Sequence, residues 1–486
     1  MATDTASTRI TTPDPAPHTA PERLSSRARL VLFVLCAAQF MVALDFSVLN
    51  VALPALGRDL GMSQAGLQWA VTAFALPSGG FLLLFGRIAD LFGRRRLFLG
   101  GLAVFGAASL IATCAWNQEA FLAGRALQGL GAAVIVPTGM SLLTTTFPEG
   151  PLRDRALGIS GTLLSLGFTA GMVLGGVLTD TLGWRSTMGL LGAASVIVLA
   201  LAPGLLTESL PHGRKGMGGA PVPERPRLDV PGAVAVTGGL LALIYALSTA
   251  AQSGFGHADV LVTLVLGVVL LAAFVVIESR SAVPLVSLPM LKRRTVAWGN
   301  LGGLVTFSMM STVIFVLTLY FQEVLNLSSL ETGLIFGVQG VASAFAGAFA
   351  PKVIGRFGAH RVLVGSLLVQ GLFIGSMAGI GAHSGVWLAT IGVSTASMAH
   401  LGAIISYGLT VTSGVPDDEQ GLATGLVTTT QQVGITIGIP LLGVLATTQS
   451  TLFGGVRTVL GIDAAIVIGA ALLVAAGLGT RGENRS

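Results

Sequence analysis

Charge is scarce in this 486-residue chain: Asp, Glu, Lys and Arg make up 10% of it, against about a quarter in a soluble globular protein. That excludes a soluble fold clothed in ionised side chains. The chain has two cysteines, Cys36 and Cys114, both inside long apolar runs, so neither a disulfide framework nor a thiolate metal site is indicated. No cluster of histidines or acids falls at ligand spacing, and an HExxH helix, a nucleophile elbow, a phosphate-binding loop and Walker motifs are all missing. An enzyme, a metal, a cofactor and ATP as the driving force are therefore not expected. Nor is nucleic acid, because no basic stripe interleaved with aromatics appears.

What is there is apolar: 52% of the residues are hydrophobic. A bilayer-spanning helix needs roughly 20 largely apolar residues, and fourteen such runs lie near 30–54, 67–87, 96–115, 120–145, 155–179, 186–206, 230–250, 259–279, 296–320, 332–352, 361–381, 386–412, 420–446 and 461–479. The first is too long for a signal-peptide core and has no cleavage site after it. An all-α integral membrane protein follows. Residues 1–28 read as a cytoplasmic tail and 207–228 as a Pro/Gly-rich linker. Between them, 29–206 make an N-terminal six-helix bundle; 229–280 hold two inserted helices, 281–480 a second six-helix bundle, and 481–486 a short tail.

Basic residues set orientation, because short basic loops stay in the cytoplasm. With both ends inside, 23 of the 27 Lys and Arg residues fall on cytoplasmic segments. The high isoelectric point is then an orientation device. Three Lys against 24 Arg, with abundant Ala and Gly, point to a GC-rich genome and a bacterial inner membrane.

The two halves repeat each other. GRIADLFGRRRLFLGG follows the second run and PKVIGRFGAHRVLVGS the tenth; aligning Phe92-Gly93 with Phe357-Gly358 also aligns Arg96 with Arg361 and Gly100 with Gly365. Independently, Gly158, Gly167 and Gly171 share their two spacings with Gly425, Gly434 and Gly438. The offsets differ by two residues, as a duplicated six-helix unit requires.

Four ordered motifs resemble one known family. GRIADLFGRRR is similar to the loop signature of the major facilitator superfamily, FLAGRALQGLGAA (121–133) to its fourth-helix motif, the glycine ladder from Gly158 through Gly175 and Gly176 to its antiporter motif, and LDFSVLNVALP (44–54) to the first-helix motif of fourteen-span drug:proton antiporters. Two departures stand out. Met172 follows Gly171 where proline is usual, and Ser186 replaces a frequent aromatic. The resemblance implies a major facilitator fold, antiport of drugs against protons, and a coupling role for the first-helix acid and fourth-helix arginine.

Asp45 reads as the only acid placed well inside a run, and an ionised carboxylate there is costly enough to mark function. Burial and a neighbouring cation pull a carboxylate's proton affinity in opposite directions, so such a group can be poised to exchange a proton. Arg125 is the second buried charge, with Gln128 and Gly129 on its face; it is expected to modulate Asp45, directly or through Gln128 and water, a buried structural pair being the alternative. Asp45 shares a wheel face with Met41, Leu49 and Ala52, while Gln39 and Asn50 share another. Gln39, Asn50, Gln128, Met309, Met310 and Gln432 are candidates for the substrate pathway. Gly86, Asp90, Gly93, Arg94 and Arg95 are expected to form a latch across the half interface. The stripe Gly167, Gly171, Gly175 allows close helix approach, at the contact between halves by resemblance. His400 reads as a packed, hydrogen-bonded side chain, and VPDDEQG (415–421) as a helix start.

The expectation is thus a proton-driven exporter of amphipathic small molecules, with membrane lipids around it and acting as a monomer. Its rivals are a carrier of another small molecule such as a siderophore, amino acid or secondary metabolite, and a membrane sensor without turnover.

Overall fold

The computed structural model describes residues 25–147, 151–207, 229–254, 256–281, 288–382, 385–415, 420–447, 449 and 451–479. Nearly all of the expected tails and linker, and residues 416–419 of VPDDEQG, lie outside the described residues.

The described chain is helical from end to end. α1 (Ser26–Leu60) is followed by α2 (Gln64–Gly80) and α3 (Leu82–Phe92), which together make the second span, then α4 (Arg94–Thr113), α5 (Gln118–Thr146), α6 (Pro151–Leu182) and α7 (Arg185–Leu205). The inserted pair is α8 (Val230–Ser253) and α9 (Ala258–Arg280). A short α10 (Leu288–Leu291) leads to α11 (Arg294–Leu319), which ends in a π turn at Tyr320–Val324; α12 (Ser329–Phe357), α13 (Ala359–Met377), α14 (Val386–Thr412), α15 (Gln420–Thr447) and α16 (Leu452–Leu478) complete the chain. Counting α2–α3 as one, fourteen spans result. Among the described residues twelve of these helices are by themselves long and apolar enough to cross a membrane.

Local chemistry marks the helix ends. Ser25 accepts from the Ala28 N–H at the start of α1, and Gly61 closes it at φ 64°. α12 opens with a reciprocal capping box, in which Ser328 accepts from the Glu331 N–H and Glu331 accepts from that of Ser328. The two loop landmarks of the repeat have one backbone solution: Gly93 (φ 102°, ψ 123°) and Gly358 (φ 82°, ψ 150°) each end one helix and open the next. A side chain is disfavoured there, which is why both copies carry glycine.

The duplication extends to packing. α1 lies on α6, α4 on α5 and α7, and α2 on α5; in the second copy α11 lies on α15, α13 on α14 and α16, and α12 on α14. The halves meet through α6 on α12 and α2 on α15, while α8 touches α2, α3 and α15 and so bridges that second seam. α9 packs chiefly on α8 through Gly239 and Leu271, and its outer valines are exposed.

Contact between the halves is uneven along the seam. On α6, Met172, Val173 and Gly176 meet Gly333, Gly337 and Ser329 of α12. Gly158 lies eighteen residues, five full turns, before Gly176 and so points the same way. Nothing approaches within 4 Å of the place where its Cβ would be, nor of Gly161 or Gly425. On α12, Ala344, Ala348 and Pro351 continue the line of Gly333 and are exposed. The halves therefore close at one end and part at the other, the end carrying the arginine-rich loops.

Candidate functional site

The buried charges meet where four helices converge. Asp45, on α1, and Arg125, on α5, are both 0% exposed. Arg125 Nη1 donates to Asp45 Oδ1 at 2.7 Å and Oδ2 at 2.9 Å, and also to Gln128 Oε1 at 2.9 Å. Gln128 Nε2 donates to Ser109 Oγ of α4 at 2.8 Å, and Ser109 in turn donates to the Phe105 carbonyl. From α2, the Ala70 carbonyl accepts from Arg125 Nε at 3.2 Å and the Phe74 ring lies under the guanidinium, 4.6 Å from its carbon. Nη2 has no acceptor among the described residues. A guanidinium cannot shed its proton, so Asp45 is the member of this network that can change charge.

Glycine admits the arginine to this position. A Cβ on Gly129, one turn after Arg125, would strike the Phe74 carbonyl and come within 2.8 Å of Pro77 Cγ. That close approach of α5 to α2 brings Ala70 and Phe74 onto Arg125.

The glycine stripe has a different partner from the one expected. Gly167, Gly171 and Gly175 sit against the carbonyls of Phe40, Leu44 and Val48, each 2.8 Å from the position of a Cβ. All three belong to α1 of the same half. The stripe thus clamps the helix that carries Asp45, turn for turn, and does not form the contact between halves. Gly176, one residue and about 100° further round, is the member that reaches the other half, the Ser329 carbonyl lying 2.5 Å from the position of a Cβ. Gly158 packs on nothing. With Met172 where proline is usual, α6 runs unbroken for 32 residues.

The other candidates are distributed as follows. Gln39 (5% exposed) and Asn50 (1%) are buried on α1 as Asp45 is; Asn50 Nδ2 donates to the Phe46 carbonyl at 2.7 Å, and Gln39 Nε2 lies beside Gly139 of α5 without a hydrogen-bond partner among the described residues. Gln128 is locked inside the charge network, and Met309 and Met310 are buried in α11, with Ser397 at Met310 Sδ. Gln432 is half-buried on α15, where its carbonyl accepts from Thr436. His400 is hydrogen-bonded: Thr306 donates to Gln370 Oε1 at 2.5 Å, and His400 Nδ1 lies 2.8 Å from the same hydroxyl. The hydroxyl has a single proton and Gln370 Oε1 can only accept, so Nδ1 carries the histidine's proton.

In the loop after α3, Arg95 Nη2 donates to the Pro203 carbonyl at 2.8 Å, at the carboxyl end of α7 in its own half. Through this contact a guanidinium near a helix C-terminus satisfies one of its last carbonyls. Arg94 is half-buried beside it, Gly86 faces Pro137 loosely at 3.7 Å, and the Asp90 side chain lies outside the described residues.

Three features were not legible in the sequence. Gln322, in the π turn, donates to the Val51 carbonyl of α1 at 2.8 Å and accepts from Ser329, and Asp180 of α6 accepts from the Leu330 N–H of α12 at 3.0 Å; these tie the closed end. At the carboxyl end of α1, Asp59 accepts from Trp184 Nε1 at 2.9 Å and pairs with Arg185; the indole N–H first and the guanidinium second hold its carboxyl below the usual range. Finally, Asp463 on α16 is 0% exposed, which corrects the expectation that Asp45 alone is a deep acid. The apolar run appeared to begin two residues before it, whereas the helix begins at Leu452.

The profile described as the Major Facilitator Superfamily matches residues 35–438 and, again, 299–485. A cephamycin export protein of Amycolatopsis lactamdurans is 38% identical over 86% of this chain and 85% of its own length. A puromycin resistance protein of Streptomyces alboniger is 36% identical over 86% of the chain and 81% of its own length. Among solved structures, a POT family transporter in complex with 5-aminolevulinic acid superposes with a TM-score of 0.69 at 14% identity, covering 92% of this chain and 95% of that one. A nucleoside transporter superposes at 0.65 and 13%, covering 93% and 100%. At such identities these two report the fold.

Proposed function

The chain belongs to the Major Facilitator Superfamily, and from that premise we propose that it exports amphipathic small molecules, antibiotics among them, in exchange for protons. It is a multi-pass membrane transporter and not an enzyme. Export of an antibiotic is supported by relatives whose names are a cephamycin export protein and a puromycin resistance protein.

Proton coupling is carried by one observation, the fully buried Asp45–Arg125 pair on α1 and α5. With Asp45 ionised, the pair is neutral. A proton on Asp45 leaves the guanidinium without a counterion and weakens the hold of α5 on α1. Because Gly167, Gly171 and Gly175 clamp α1 to α6, and α6 is half of the seam with α12, a change at Asp45 bears on the contact between halves. The moving units are the bundles 29–206 and 281–480, with 229–280 riding on the α2–α15 seam. Outside-facing, Asp45 takes a proton; inside-facing, it releases that proton as the substrate binds. Each pH unit of gradient supplies about 1.4 kcal/mol per proton, and each 100 mV adds about 2.3 kcal/mol per charge moved.

The arginine-rich end faces the cytoplasm of a bacterial cell in this reading, with both termini there and the protein in the inner membrane as a monomer. The closed end is then outside, and the splayed end opens inward. Gln432 and the faces around Gly158 and Gly425 border that opening.

Purified protein in vesicles holding a pH-sensitive dye, given a proton gradient and a panel of lipophilic cations and antibiotics, tests the proposal. Substrate-triggered proton flux in wild type and none in Asp45→Asn is expected. Equal flux in both would remove Asp45 from coupling, and silence across that panel, extended to siderophores and amino acids, would overturn the transport reading.

A further inference from the structure

The mechanism above leaves one deep acid unused. Asp463 is the twelfth residue of α16, six residues and about 9 Å of helix rise beyond Arg457 and fifteen residues before Leu478. Its side chain is 0% exposed, and neither carboxyl oxygen has a hydrogen-bond partner among the described residues. Val459, Leu460, Ala464 and Val467 surround it on its own helix, all buried. Gly371 and Gly375 of α13 sit directly on the next residue, Ala464, each with a contact of 3.3 Å from the position of a Cβ. α13 and α16 are therefore in close contact at this level.

No cation answers this carboxyl from the surrounding helices. α16 packs on α11, α13, α15 and the π turn. Their titratable and charged groups are Arg294 at the start of α11, His360 and Arg361 at the start of α13, and Tyr320 and Glu323 in the π turn; the described part of α15 has none. All lie at helix ends. Arg457, on α16 itself, donates to the Ala378 carbonyl at 2.7 Å. Asp45, by contrast, holds a guanidinium against both oxygens. Buried charges in proteins are paired, and an unpaired carboxyl becomes neutral instead.

We propose that Asp463 is a second proton-binding site of this transporter, housed in the C-terminal half and separate from the Asp45–Arg125 pair. The occupant is a proton and not a metal ion, because a hard cation of the Ca²⁺ or Mg²⁺ type takes about six or more oxygen ligands, and no group of three His, Cys, Asp or Glu is assembled among the described residues. In the arrangement seen here the site is loaded. The proposal stands on burial and packing at Asp463, whether or not Asp45 couples transport.

Infrared spectroscopy of the full chain in lipid nanodiscs at neutral pH tests it without a substrate. Wild type is expected to show a protonated-carboxyl C=O band that shifts in heavy water. Asp463→Asn should lose the intensity of one carboxyl, and Asp45→Asn should keep it. Retention of the full band in Asp463→Asn, or no such band in wild type, overturns the proposal. If the asparagine variant fails to elute as a single folded species, Asp463→Ser provides the same comparison. The dye-vesicle experiment on Asp45→Asn judges the coupling proposal separately, so either can fail alone.

Discussion

Arg125 reaches both oxygens of Asp45 through a single nitrogen, Nη1, while Nη2 finds no acceptor among the described residues. The pair is therefore held end-on and not as a two-nitrogen fork. Gln128 shares the same Nη1.

Breaking one side of this pair should be costly, because it strands the other charge. Arg125→Gln is expected to destabilise the protein by about 3–5 kcal/mol. Combining it with Asp45→Asn should recover much of that loss. Denaturation of the two single variants and the double in a common detergent measures the coupling; simple additivity would mean that the two charges are not paired.

The α1 clamp predicts an opposite response at two glycines of the same helix. Gly171→Ala puts a methyl 2.8 Å from the Leu44 carbonyl and against Ser47, and overpacking of this kind costs about 1–3 kcal/mol. Gly158→Ala meets nothing and should stabilise α6 by about 0.5–1 kcal/mol. Melting temperatures of both variants are the check, with Gly171 below wild type and Gly158 at or above it.

At the closed end, Gln322→Leu and Asp180→Ala remove two ties between halves. The population should move toward an arrangement open at that end. Ser329 is 5% exposed, so a cysteine placed there, with Cys36 and Cys114 replaced by serine, should react faster with an impermeant thiol reagent in either background. Unchanged labelling would mean that these bonds do not hold the closure.

Acid should loosen the carboxyl end of α1. Asp59 carries a lowered pKa because Trp184 and Arg185 bind its ionised form. A group depressed on folding stabilises above its unfolded value, about 3.9, and that contribution disappears as pH falls through the folded value. Trp184 fluorescence should respond in that acidic window in wild type, and the response should be missing in Asp59→Asn.

Much of the scaffold was readable beforehand, since a span is a local property: roughly 20 apolar residues make a membrane helix wherever they occur. All fourteen runs fall on helices, and the matched glycines at 93 and 358 proved to be the same turn twice. The charge pair was legible as two costly residues in FSVLN-type and GRALQG-type apolar surroundings, and the structure puts Asp45 and Arg125 in direct contact. The glycine stripe announced close approach but not the helix approached. Asp463 escaped notice because the edge of its apolar run was set by composition, and Arg457, before it, concealed where the helix starts.

By itself the sequence determined the helices, their number, the duplication and the two residues whose burial demands a reason, because each follows from local composition, spacing or the cost of charge in hydrocarbon. Only the tertiary structure decided which carbonyls lie under Gly167, Gly171 and Gly175, that Arg95 turns to Pro203, that Gln322 ties the closed end, and that Asp463 is left without a partner among the described residues. Those outcomes depend on how helices distant in the chain come within a few ångströms of one another, and side-chain-to-backbone contact at that range has no signature in either segment alone.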